Sequence, residues 1–263
     1  MANGKGILPF LRDTLYHLKD TGTKGIILVL DEINGIISNP QFAHFIKGLV
    51  DTNALSKNPL PLFLILCGVE EKRREMIQSH QPIDRIFDII SIETMTVDEM
   101  REFFRRAFQS VQMSVENYAL ELLVHYSAGF PKIMHLIGDA AYWIDQDDIV
   151  SSEDAESAVL AAAEDVGRKY VEQQVYRALR SADYRSILAK IAKLEPDSMS
   201  FHKKDVASEL TETEKKKFNN FLQKMKELKV LRSGTVQGEW VFNMRMVRLY
   251  IWLQSLLQTN RKS

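Results

Sequence analysis

The stretch GIILVLDEIN, residues 25–34, constrains the fold more than any other part of this chain. Five aliphatic residues, Ile26 to Leu30, stop at two adjacent carboxylates, Asp31 and Glu32. Two more short apolar runs follow, Leu62 to Cys67 and Ile86 to Ile92, and all three have the length and bounding turn residues of strands. Between the first two, Pro40 to Val50 sets Phe42, Phe45, Ile46 and Leu49 at helical spacing. Strand, helix and strand in this order form a parallel crossover unit, and uninterrupted apolar strands imply a sheet covered on both faces. Ligands of such sheets bind beyond the carboxyl ends of the strands, where Asp31, Glu32 and Cys67 stand. The acid pair has two readings at this point. Either Asp31 holds a magnesium ion and Glu32 polarises an attacking water, as phosphate-transfer chemistry requires, or the pair only ends a buried strand.

The period changes at Thr96. Thr96 with Glu99 forms a capping box, after which Met100, Phe103, Phe104 and Phe108 line one helical face. A second helix spans about Glu116 to Tyr126 and stops at Gly129; a third opens with Pro131; Ser151 and Ser152 cap a fourth that runs towards Gly167. A further amphipathic helix is predicted over Val175 to Leu194, then a short one in HKKDVASEL. In EKKKFNNFLQKMKELKV the apolar stripe is Phe218, Phe221, Leu222, Met225 and Leu228, and the opposite face carries Lys215, Lys216, Asn219, Asn220, Gln223, Lys226 and Lys229. VLRSGTVQGEWVF then alternates as a hairpin, before a last aromatic helix against which Trp240, Tyr250 and Trp252 are expected to pack the hairpin. Three helices closed by a hairpin are the winged form of the helix-turn-helix.

Charge divides along the same line. Residues 180–263 hold 17 Lys and Arg against 9 Asp and Glu, which leaves 17 against 26 in residues 1–179. The basic third either meets a polyanion or is a solvated surface. One cysteine, Cys67, precludes an internal disulfide and points to a reducing cytoplasm, and it reads as a small buried hydrophobe rather than a nucleophile. No apolar run approaches the roughly 18 residues of a membrane span, and the six histidines show no metal-ligand spacing.

In the order and content of these segments the chain resembles the AAA+ ATPases, most closely the branch of origin-recognition-type initiators. ILVLDEI is similar to their Walker B motif, with Asp31 and Glu32 at its two acids. LFLILCG matches the strand that carries sensor 1, but Cys67 and Gly68 stand where the family has a polar Asn, Ser or Thr. Arg85 in PIDRIFDII lies where the family's arginine finger reaches a neighbouring subunit; a salt bridge to Asp84 or Asp88 is its structural alternative. SAGFPKIMHLIGDA is similar to the sensor 2 segment, with Lys132 in place of the arginine, so a point charge replaces a guanidinium fork.

The resemblance implies an α/β fold: a partial parallel-sheet P-loop-type ATPase core in residues 1–95, an α-helical lid in 96–169 and a winged-helix domain in 170–263. It implies ATP and Mg2+ as cofactors, with Glu32 and Arg85 catalytic, Asp31 on the metal, and Asp31, Cys67 and Lys132 around the nucleotide. The implied partners are double-stranded DNA, met by Lys215, Lys216, Asn219, Asn220, Gln223, Lys226 and Arg232, and other subunits of the same or a related ATPase in an oligomer; no membrane is involved. One motif is missing: no G-x-x-x-x-G-K-[ST] loop occurs in the sequence, and NGKG at Asn3 to Gly6 does not fit it. Phosphoryl transfer is mostly positioning and charge stabilisation, so the isolated chain is expected to hydrolyse negligible ATP. The other readings are a scaffold or signalling ATPase of the STAND type and a catalytically inactive interaction subunit.

Overall fold

The computed structural model describes residues 6–194 and 198–260, the side chains of 257–260 excepted. The chain divides into two compact units, Met1–Ser91 and Ile92–Ser263.

The first unit is a crossover built on two strands. After α1 (Ile7–His17) come β1 (Ile26–Leu30), α2 (Pro40–Ala54), β2 (Leu62–Leu66) and α3 (Glu70–Ser79). The strands pair in parallel, from Ile26 opposite Leu62 to Leu30 opposite Leu66. Asn39 caps α2 by accepting from the Gln41 amide at 3.0 Å, and Pro40 follows at the position where a missing N–H costs nothing. Asn53 closes the way into β2, donating to Leu60 O at 2.9 Å and accepting from Leu60 N at 2.8 Å.

Alternation along the strands decides which face is covered. Ile26, Leu28, Leu30, Leu62, Leu64 and Leu66 pack against buried residues that include Leu8 and Leu11 of α1, Ile46 and Leu49 of α2, and Met76 of α3. The intervening side chains are open, with Ile27 68%, Val29 51% and Phe63 61% exposed. The sheet is therefore covered on one face, not the expected two. Nor is the run Ile86 to Ile92 a strand. Ile86 caps a 3-10 helix, Gln81–Arg85, and residues 87–96 have no regular structure. Among the described residues the sheet consists of β1 and β2 alone, and this run pairs with neither of its outer edges. Ile89, Ile90 and Ile92 are accordingly exposed.

The second unit begins with α4 (Val97–Ser110), β3 (Ser114–Val115), α5 (Asn117–Ser127), α6 (Pro131–Ile144), β4 (Ile149–Val150) and α7 (Ser152–Val166). The Thr96–Glu99 capping box is formed in both directions, and Ser151 with Asp154 makes a second one at α7. From Gly167 the helix continues as a π-helix to Tyr176. Then follow α8 (Ala182–Ala192), β5 (Ser200–His202), α9 (Lys203–Ala207), α10 (Glu212–Glu227), β6 (Leu231–Ser233), β7 (Glu239–Phe242) and α11 (Arg245–Asn260). The helix expected over Val175 to Leu194 is thus interrupted between Tyr176 and Ala182, where Leu179 O accepts from Arg185 Nε at 2.9 Å. β7 lies antiparallel between β5 and β6.

One continuous apolar core runs from Met100 to Ile251. Arg248 of α11 is 1% exposed; its Nη1 and Nη2 donate to Ala192 O at 3.0 Å and Leu194 O at 2.8 Å, capping the carbonyl end of α8. Its guanidinium lies 5.1 Å from the centre of the Phe242 ring, so Arg248 holds the hairpin to the last helix. Tyr250 was expected there. Its ring instead lies against Gly167, and its hydroxyl donates to Glu172 Oε1 at 2.9 Å.

Candidate functional site

The carboxyl end of β1 is a tight, crossed turn. Cys67 N donates to Leu30 O at 2.9 Å and Ile33 N donates to Cys67 O at 3.2 Å, so the chain leaving each strand is tied to the other. Glu32 adopts the left-handed conformation, φ 52°, which a side chain with a Cβ enters at a cost of about 1 kcal/mol or more. Burial of Ile33, 3% exposed, holds the turn in place. Glu32 N donates to Asp31 Oδ1 at 2.8 Å. Both carboxylates are exposed, and neither joins an ion pair among the described residues. Asn34, which sequence reasoning passed over, accepts from Val69 N at 2.9 Å and links the turn after β1 to the start of α3.

Whether this rim fits magnesium and a nucleotide is a question of donors. Magnesium is commonly held through one or two carboxylates together with substrate phosphates. Asp31 and Glu32 supply the protein side of such a set, and among the described residues no group of three or more His, Cys, Asp or Glu could hold a metal ion unaided. The backbone cradle for the phosphates has no counterpart: α1 starts at Ile7, without a side-chain cap and without a lysine and hydroxyl at its first turn. The described residues alone do not fit ATP.

Arg85 is exposed at the end of its 3-10 helix. Neither salt-bridge alternative, to Asp84 or to Asp88, is formed among the described residues; Asp84 pairs instead with Arg73 at 3.2 Å, which also holds Glu70 at 2.7 Å. Hydrogen bonds from Arg73 and Arg74 hold the Glu70 carboxyl down at about 2. The cations of α3 are thereby committed, while Arg85 joins no ion pair among the described residues.

Lys132 is the second residue of α6 and is exposed. Its position is set by a rigid turn. Ala128 and Gly129 have φ of 50° and 81°, Met95 N donates to Gly129 O at 2.9 Å, and a Cβ on Gly129 would come within 2.7 Å of Met95 O.

On α10, Phe218, Phe221, Leu222 and Met225 are buried, and Lys215, Lys216, Asn219, Asn220, Gln223 and Lys226 are exposed. Partners divide the polar set. Lys215 bonds Glu212 at 2.8 Å, and Asn219 Oδ1 accepts from Lys203 Nζ at 2.9 Å. Lys203, on α9, also lies over the Trp240 ring and was missed because its tie to α10 is tertiary. Lys216 and Lys226 join no ion pair among the described residues; Arg232 is exposed on β6.

No known protein-family profile and no curated protein sequence matches the chain. Solved structures do. The ORC2 protein of Aeropyrum pernix, in its ADPNP–ADP complexes, superposes with a TM-score of 0.57 at 11% identity, covering 100% of this chain and 72% of that one. At this identity the likeness is one of fold: this chain shares the fold of that ORC2 protein. A mutant RuvB from Thermotoga maritima aligns less well, with a TM-score of 0.43 at 15% identity over 88% of this chain and 81% of that one. Within this fold the acid pair ends a strand of the α/β layer and Lys132 opens a helix of the helical part. No helix among the described residues is long and apolar enough to cross a membrane.

Proposed function

We propose that this chain belongs to a nucleotide-regulated, DNA-binding AAA+ protein, in which residues 1–95 are a partial nucleotide-binding core, 96–169 a lid and 170–263 a winged helix. The observation that carries the reading is the exposed polar stripe of α10. Lys216, Asn220 and Gln223 follow at i, i+4 and i+7, flanked by Asn219 and Lys226, on the third helix of a helix–strand–helix–helix–strand–strand order. That order is the winged helix-turn-helix, whose third helix enters the major groove. Lysines and Arg232 would meet phosphates, while the amides are of the type that reads base edges.

In this reading Asp31 stands on the metal side, Glu32 is catalytic within its own subunit, Arg85 is catalytic towards a neighbouring subunit, and Cys67 and Lys132 flank the nucleotide. These roles require phosphate-holding polypeptide that the described residues do not contain, so the chain alone is expected to turn over no measurable ATP. The setting is cytoplasmic, and the partners are duplex DNA and further ATPase subunits.

The test is fluorescence anisotropy with a labelled duplex of about 20 base pairs and the variant Lys216→Gln/Lys226→Gln. Loss of two phosphate contacts should weaken binding about tenfold or more. Equal binding by the variant, or no binding by the parent, refutes the reading. A second reading, an inactive interaction subunit, draws its support from the open apolar sheet face of Ile27, Val29 and Phe63.

A further inference from the structure

A cleft of about 550 Å³ opens within the second unit, walled by the π-helix, α8 and α11. Small-molecule sites have volumes of roughly 300–1,000 Å³. The wall itself is unusual: π geometry is rare, mostly confined to single turns, and concentrated at functional sites. Here it runs for ten residues. Tyr250 pins its start, since a Cβ on Gly167 would lie 2.2 Å from the ring and the hydroxyl donates to Glu172 Oε1 one π-turn further on.

The charges lining the cleft are unbalanced. Arg177 and Arg185 stand against the single carboxylate of Glu172, which already accepts from Tyr250. Neither arginine joins an ion pair among the described residues. Arg185 is nonetheless fixed in direction, with Nε on Leu179 O at 2.9 Å and Nη2 on Tyr176 O at 3.4 Å. Tyr176 supplies a neutral phenol, since burial and then the Glu172 charge push it up to about 12. Gln173 and Gln254 add amides, and Ile251 of α11 a short apolar surface.

We infer that this cleft binds a small organic anion, a phosphate ester or a polycarboxylate, with Arg177 and Arg185 on its charged end and the two glutamines on its polar body. A guanidinium is suited to either anion because its planar fork matches both phosphate and carboxylate. The site lies apart from the α10 stripe in its residues and stands or falls independently of DNA binding.

Isothermal titration of the full chain with inorganic pyrophosphate and, separately, citrate at fixed ionic strength tests the inference. At least one should bind with a Kd tighter than about 1 mM; which one does so separates phosphoryl from carboxylate ligands. Arg177→Gln, at an exposed position outside the core, should weaken that binding about tenfold or more, whereas Lys216→Gln/Lys226→Gln should leave it unchanged. Amide hydrogen exchange across Gly167–Tyr176 should slow in the bound state. If both anions bind more weakly than that, if Arg177→Gln costs less than about tenfold, or if the α10 variant abolishes binding, the anions are adventitious and the inference is overturned.

Discussion

Lys190 Nζ lies 2.6 Å from Glu214 Oε2, and this contact joins α8 to α10 through a carboxylate that is only 3% exposed. Glu214 also receives the Thr211 amide at 2.7 Å, so one side chain both caps α10 and ties it to the helix behind it. This ion pair, the Lys217–Asp183 pair and the buried apolar face of α10 together set the orientation of the proposed DNA-binding stripe.

Burial pushes the Glu214 carboxyl up, but hydrogen bonds from Lys190, Ser186 and Thr211 outweigh it and bring the group from 4.5 down to about 2. A carboxyl lowered in the folded state adds stability that is complete above the unfolded value and is lost as pH falls from about 4.5 towards 2. Glu214→Gln keeps a residue suited to the capping box while removing the charge. It should cost roughly 3 kcal/mol near neutral pH, and urea unfolding should show the difference from the parent shrinking at pH 3. A constant difference across this range would remove the ion pair from the account.

Gly167→Ala places a methyl where the Tyr250 ring lies, and the ring is held by the core rather than free to swing. Overpacking of this kind costs about 1–3 kcal/mol. In a Tyr250→Leu background the same change should cost markedly less, a coupling that a double-mutant cycle on thermal unfolding would read.

The open face of the β1–β2 sheet gives a prediction of the opposite sign. Val29→Thr/Phe63→Ser replaces exposed apolar groups, so stability should move by no more than about 0.5 kcal/mol per site while dye binding to exposed apolar surface falls. A loss of several kcal/mol would mean that these side chains are covered in solution.

Much of this architecture is legible locally. β1 and β2 stand where their aliphatic runs place them, and Thr96, Pro131 and Ser151 announce α4, α6 and α7 because caps and N-terminal prolines act within one turn. What escaped the sequence is non-local. The Ile86 to Ile92 run has strand composition but, among the described residues, pairs with neither outer edge of the β1–β2 sheet. α3 buries Met76 alone and is laced by surface ion pairs, so its sequence carries no apolar stripe by which to recognise a helix. The π-helix depends on a tyrosine whose partner Glu172 lies 78 positions away. At the candidate site, the acid pair was visible as an abrupt end to an apolar run. Asn34 was not, since its role exists only through Val69, 35 residues on. Lys203 was hidden in the same way.

The central claim is that the exposed stripe of α10 meets the phosphates of duplex DNA, and salt dependence tests it most directly. With Lys216, Lys226 and Arg232 on phosphates, a plot of log affinity against log salt should have a slope of roughly −3, and Lys216→Gln/Lys226→Gln should flatten it by nearly 2. A slope near zero, or an identical slope for parent and variant, would contradict the account.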